Sequence, residues 1–380
     1  MSNAVAINKN YMIIDTHIDT PYRIKKRTQD ISRRISDGNF DYARAMQGNL
    51  SVAFMVVYVP AKYEEKGGAR PFADEMIDMI EGWTRKWSDK FVLAKAPEDL
   101  RSQFGQGRLS IVIAMENGSP IESNLSNIEH FFNRGIRYIT LVHNKCNHIS
   151  DSSFDPERKW NGLSPFGQEV VAEMNRIGMM IDVSHASDKA FYQILELSKA
   201  PVVATHSACR YFTPYRERNM DDEMIRLLAD KGGTIQIAFG SSFINRQASL
   251  KSAHRKKHIL KYFETANLNP DEQEVYADQY VLANPLPPTD ISDVVANIDH
   301  VVNLVGIEHV GLGSDFDGVW GELPTDLRDV SCYPNMINEL LKTGYTEEDV
   351  KKICSENFLR MWSAVLEATS NDYANNTMSK

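Results

Sequence analysis

The 380-residue chain has only four cysteines, Cys146, Cys209, Cys332 and Cys354, widely spaced and without a Cys-x-x-Cys pair, which argues against a thiolate zinc site and against a dense disulfide scaffold. It has no excess of basic charge: 51 acidic against 42 basic residues give a net charge of −9, the wrong sign for a non-specific nucleic-acid binder. No apolar run approaches the ~20 residues of a membrane span. The first ten residues lack the apolar core of a signal peptide, and the polar stretch 370–380 offers no apolar tail for a lipid anchor. Met1-Ser-Asn-Ala4 reads as a cloning remnant within an N-terminal extension, 1–10, so localisation stays open between cytoplasmic and periplasmic or secreted. No glycine-rich dinucleotide fingerprint follows the first strand.

What the sequence does have is the material for a buried core, with 42% hydrophobic and 24% charged residues. Eight short β-rich apolar runs stand out, at 11–14, 51–59, 110–115, 137–142, 179–183, 202–205, 234–239 and 310–313. Helical spacing fills most of the intervals, at 71–87, 125–132, 166–177, 189–198 and 221–230, with Gly135 and Gly178 placed to stop helices. Eight strands alternating with helices predict a closed (β/α)₈ TIM barrel as one unit over 11–369, with a doubly wound open sheet as the alternative.

Two additions to a minimal barrel are expected. A helical insertion, about 241–288, separates the seventh strand from the helix before the eighth. It carries a basic cluster (Lys251, His254, Arg255, Lys256, Lys257, His258, Lys261) and then an acidic one (Asp271, Glu272, Glu274). It should cover a mouth of the barrel or a subunit interface, or be a solvated charged helix. Closing helices are expected at 334–343, 346–354 and 357–367, before a polar, frayed tail at 370–380.

The chemistry gathers at strand ends. His17 and Asp19 follow the first strand as His-Ile-Asp, and in an extended segment residues two apart point the same way. Alone, such a pair is by default a hydrogen-bonded turn. But Glu116, His143, His185, His206 and Asp315 each follow another predicted strand, and a parallel barrel brings all strand C-termini to one face. Imidazole and carboxylate ligands without cysteine suit catalytic zinc or a similar divalent ion. There are enough for two ions, and Glu116, with two oxygens and a negative charge, is the candidate bridge.

With those residues assembled, the chain resembles the membrane (renal) dipeptidase family, zinc metallopeptidases of the amidohydrolase superfamily. The resemblance runs from about Ile13 to Arg360 through IDTHIDTP at 14–21, AMENG at 114–118, GIRYITLVHNKCN at 135–147, NRIGMMIDVSH at 175–185, THS at 205–207, RERNM at 216–220 and GLGSDFDG at 311–318. It implies that His17 and Asp19 bind one Zn²⁺, Glu116 bridges, and His185 and His206 bind the second, two zinc ions per chain. It implies further that Arg218, rather than Arg216, holds the substrate's C-terminal carboxylate. His143 would stabilise the oxyanion, and Asp315 would take a proton from a metal-bridging hydroxide and pass it to the leaving amine. Tyr58, at the end of the second strand, is a candidate wall of the pocket. The implied protein is a homodimeric dipeptidase tolerant of a C-terminal D-residue. The alternatives are hydrolysis of another amide, a lactone or a lactam, or a barrel that binds without catalysing.

Overall fold

The computed structural model describes residues 11–319 and 321–378, without the side chains of 270, 271, 274 and 370–378. The expected extension 1–10 lies outside them, as do the side chains of Asp271 and Glu274. Among the described residues nine strands form one parallel sheet: β1 (Ile14–Ile18), β2 (Val52–Tyr58), β3 (Phe91–Leu93), β4 (Leu109–Glu116), β5 (Ile136–Thr140), β6 (Met180–Asp182), β7 (Val203–Ser207), β8 (Thr234–Ile237) and β9 (Val310–Leu312). The order β1-β2-β4-β5-β6-β7-β8-β9 is that of a TIM barrel with eight staves. Its last seam is a single parallel bridge between Ile18 and Phe316. Amide bonds at the rim reinforce that seam, from Asp19 to Phe316 O (2.8 Å) and from Asp315 to His17 O (3.1 Å).

β3 was not expected. It pairs with the first residues of β4, on the flank that β5 takes higher up, and three residues are too few to show an alternation. The first strand lies later than its predicted 11–14, so His17 is inside it rather than after it. Asp15 and Thr16 look like a strand end in sequence. In the barrel their polar atoms are satisfied, Asp15 by Ser314 and Tyr333, and the Thr16 hydroxyl by the carbonyl of Thr205 at 2.7 Å.

Strand residues sort by parity. On β2, Val52, Phe54 and Val56 fill the barrel interior while Ala53, Met55 and Val57 meet the surrounding helices; on β4, Val112 and Ala114 point in while Ile111, Ile113 and Met115 point out. Tyr58 and Glu116 continue the inward parity. Two irregularities matter for function. Between Asp15 and Ile18 β1 carries one residue more than β2, and between Ala204 and Ser207 β7 carries one more than β8. Because Ile18 pairs with outward-facing Met55, and Ser207 with outward-facing Ile237, the extra residues turn His17, Asp19 and His206 inward.

The N-terminal end of the barrel is closed by the helix Asn357–Met378, whose Trp362 and Phe358 pack on Phe54 with ring centroids 5.9 and 5.2 Å away. That helix includes most of the stretch expected as a frayed tail, because a polar segment propagates easily from a helix already nucleated by burial. Residues 379 and 380 lie outside the described ones. The insertion is helical, Arg246–Thr265 followed by Pro270–Ala283, and it lies over the C-terminal rim of the barrel. Arg255 pairs with Glu322 in the loop after β9, and the Lys256 ammonium lies 5.2 Å from the Phe154 ring, which itself lies against His185. Among the described residues no helix is long and apolar enough to cross a membrane.

Candidate metal centre

The inward ends of β1, β4 and β7 and the loops after β5, β6 and β9 converge on Glu116. Its Oε1 lies 3.1 Å from Nε2 of His185, 3.2 Å from that of His206, 3.6 Å from that of His17 and 3.8 Å from that of His143. His17 Nε2 is also 3.4 Å from Asp19 Oδ2. Three overlapping ligand groups result, His17 with Glu116 and His206, Glu116 with His143 and His185, and His17 with Asp19 and Asp315, each with its donor atoms within 4.8 Å of one another. All seven residues proposed from strand ends are thus in one place, and Glu116 belongs to two of the three groups. Tyr58 stands beside them, its ring edge-on to His143 at 4.7 Å.

The donor set fits divalent ions. His17 Nε2 and Asp19 Oδ1 are buried without a hydrogen-bond partner, an arrangement that is costly unless something outside the chain completes it. The tautomers agree. The Tyr138 hydroxyl gives its proton to Thr16 O (2.8 Å), so towards His17 Nδ1, also 2.8 Å away, it accepts; the lone pair of His17 is therefore on Nε2, facing the cluster. Thr205 likewise gives its proton to Asp182 (2.7 Å) and accepts from His206 Nδ1 (3.0 Å), leaving the lone pair of His206 on Nε2, which faces Glu116 and, at 3.0 Å, His185 Nε2.

The orienting residues Tyr138, Asp182 and Thr205 were not singled out in the sequence. Asp182 had a signal, a carboxylate inside an apolar strand, Met-Ile-Asp-Val. It is buried and accepts from the hydroxyls of Thr140 and Thr205 and the amides of Ser184 and Thr205. Two of the cluster residues hold left-handed backbone, His185 at φ +67° and Asp315 at φ +64°, strain typical of positions fixed for function. Gly318 is required by space, since a Cβ there would run into the Asp315 and Asp19 carboxylates.

Electrostatics follow from burial and crowding. Burial first, then the Asp19 carboxylate, raises Asp315 to about 8. Burial also raises Glu116 well above the usual carboxylate range, with Asp19 and Asp315 adding to it and His17 opposing. Against the cost of burial, Asp19 and Glu116 pull His17 up to about 10; the negative field that would draw a proton there also draws a cation. His143 is pushed down to about 3 by burial and then by Arg218, and burial holds His185 and His206 far below their ordinary value. Those three are neutral imidazoles.

Arg218 borders the cluster. It is buried and donates to His206 O (2.6 Å) and Ser207 Oγ (2.8 Å), while its Nε has no partner. Burial lowers its pKa. Arg216 is close by, and its burial, then the charge of Arg218, bring it to about 9.

A model of the family described as Membrane dipeptidase (Peptidase family M19) matches residues 1–376 of this chain. An uncharacterized dipeptidase of Schizosaccharomyces pombe is 27% identical over 379 residues, covering 94% of this chain and 81% of its own length. Among solved structures, the probable dipeptidase PvdM from Pseudomonas aeruginosa superposes with a TM-score of 0.82 at 25% identity, covering 96% of this chain and 98% of its own. A metallo peptidase from Rhodobacter sphaeroides, liganded with a phosphinate mimic of L-Ala-D-Ala, shares the fold with a TM-score of 0.77 at 23% identity over 93% of this chain and 99% of its own.

Proposed function

The chain belongs to the membrane dipeptidase family, and is therefore a metallopeptidase acting on dipeptides; from that premise we propose that it is a two-zinc enzyme whose pocket accepts either configuration at the C-terminal residue. The observation that carries the two-ion reading is the convergence of four imidazole nitrogens, at 3.1 to 3.8 Å, on one carboxylate oxygen of Glu116.

His17 and Asp19 would hold one ion and His185 and His206 the other, with Glu116 shared. Divalent ions so held polarise a carbonyl and lower the pKa of water toward neutrality. The chain's own groups do the rest. Arg218, with an unpartnered Nε, grips the substrate's C-terminal carboxylate and sets its register against the cluster. His143 stays neutral because it is buried and faces Arg218, so it presents a ring N–H to the carbonyl oxygen as negative charge develops there. Asp315, beside Asp19 and His17 at the edge of the cluster, takes a proton from the attacking water at its carboxylate and delivers it to the leaving amine. Tyr58 buttresses His143 from the side.

Glu116→Gln tests the centre, because the amide keeps the shape and removes the charge. Elemental analysis of protein purified without chelators should find about two zinc equivalents in the parent and fewer in the variant, with kcat on dipeptides reduced by ~100-fold or more. A variant as active as its parent on a panel of free dipeptides, N-acylated dipeptides and lactones would remove the need for a shared ligand.

A further inference from the structure

Arg216 is a second guanidinium beside Arg218, and among the described residues the acid that faces it, Glu322, is ion-paired with Arg255 instead. Arg216 and Arg218 lie two residues apart on the loop after β7 and stack on the same ring, their Cζ atoms 4.5 and 5.3 Å from the Phe243 centroid. Arg216 Nε is buried without a hydrogen-bond partner, and among the described residues no carboxylate forms an ion pair with it. Its guanidinium also lies 5.8 Å from the Phe154 ring, which is 5.5 Å from the ring of His185. Arg216 is therefore one aromatic ring from the metal cluster. The insertion adds Lys256, whose ammonium lies 5.2 Å from that same Phe154 ring.

The acids nearby are engaged elsewhere. Asp155 pairs with Lys145 at 3.4 Å and accepts from the amides of Cys146 and Glu157, and Glu322 pairs with Arg255. In a chain whose net charge is −9, Arg216, Arg218 and Lys256 gathered at the mouth, with Glu322 and Asp155 committed to Arg255 and Lys145, are a local concentration of positive charge. Arg216 is partly buried, and a cation so placed with an unpartnered Nε is costly until an anion arrives.

We propose that the site selects dipeptides carrying a second carboxylate, in the side chain of the C-terminal residue: Arg218 takes the α-carboxylate, and Arg216, with Lys256 behind it, takes the side-chain carboxylate of aspartate or glutamate. This rests on the dipeptidase reading above. The two guanidiniums share Phe243, so the two carboxylates they hold belong to one residue. Phe243 and Phe154 give its methylene groups an apolar floor. The positive amino end of the substrate is repelled by the same cations and points away from them, which fixes the direction of the chain.

The test compares kcat/KM of the metal-loaded full chain on Ala-Asp and Ala-Glu with that on Ala-Asn and Ala-Gln, in both configurations at the second residue. The parent should favour the acidic member by at least about tenfold. Arg216→Met should bring that ratio to about one, mostly through KM, whereas Arg216→Lys keeps part of it and Lys256→Met lowers it by a smaller factor. Calorimetric titration of free aspartate against asparagine should give the same order without turnover. Neutral dipeptides cleaved as well as acidic ones would overturn this inference and leave the dipeptidase reading intact; no cleavage of any dipeptide by protein carrying its metals would overturn both.

Discussion

Tyr138 has one hydroxyl proton, and Thr16 O takes it, so the only role left to the oxygen is to accept from His17 Nδ1. That single allocation fixes which nitrogen of His17 faces the cluster. Tyr138→Phe keeps the ring, which stacks on Phe54 at 5.8 Å, and removes only the acceptor. His17 is then free to change tautomer, and metal affinity, measured by competition with a chromogenic chelator, should fall by ~10 to 100-fold while the fold stays intact by circular dichroism. An unchanged affinity would mean that packing alone orients the imidazole. Thr205 and Asp182 do the same for His206, with a carboxylate at the end of the relay in place of a carbonyl.

At the scale of elements, the barrel is divided into a polar rim and an apolar base, and the two are built from the same strands. β2 contributes Phe54 to the base and Tyr58 to the rim; β4 contributes Val112 and Ala114 below Glu116. The base is sealed by the helix Asn357–Met378, whose Trp362 is fully buried against Phe54. Trp362→Ala should lower unfolding free energy by about 3–5 kcal/mol, as large-to-small core changes do, read from denaturant unfolding. Metal content should hold in the folded fraction, since the ligands are at the other end of the strands. A loss below about 1 kcal/mol would show that the closing helix is dispensable to the barrel. The insertion works at this scale too: a charged hairpin of helices becomes part of the site's wall through Lys256 and Arg255.

For the molecule as a whole, the ligand cluster draws together β1, β4 and β7 across the rim, and β1 is also the strand whose closure against β9 has only one bridge and two flanking amide bonds. Ions bound there should stabilise the closed barrel by mass action. At free zinc about a hundredfold above Kd the gain is ~2.7 kcal/mol, so stripping with a chelator should lower Tm by on the order of 5 °C, restored by adding zinc. Equal melting of stripped and reloaded protein would show that the barrel closes without help from the site.

The sequence alone determined the number of staves and which ionisable side chains gather at one rim. Apolar runs of strand length recur between helical segments, and histidines and carboxylates fall at their ends, which is local information that each stretch carries by itself. Only the tertiary structure decided how those side chains are aimed. The extra residues in β1 and β7 are visible only against the strands beside them, and without those bulges the inward parity of Ile14 and Val203 would not pass to His17 and His206. The short β3, the buried relay through Tyr138, Thr205 and Asp182, and the pairing of Arg216 with Arg218 over Phe243 likewise rest on contacts between residues distant in the chain, or on a fold of the loop that periodicity does not encode. A repeat along the chain shows which residues can share a face. Which face, and what meets it, depends on the neighbouring strand and its register.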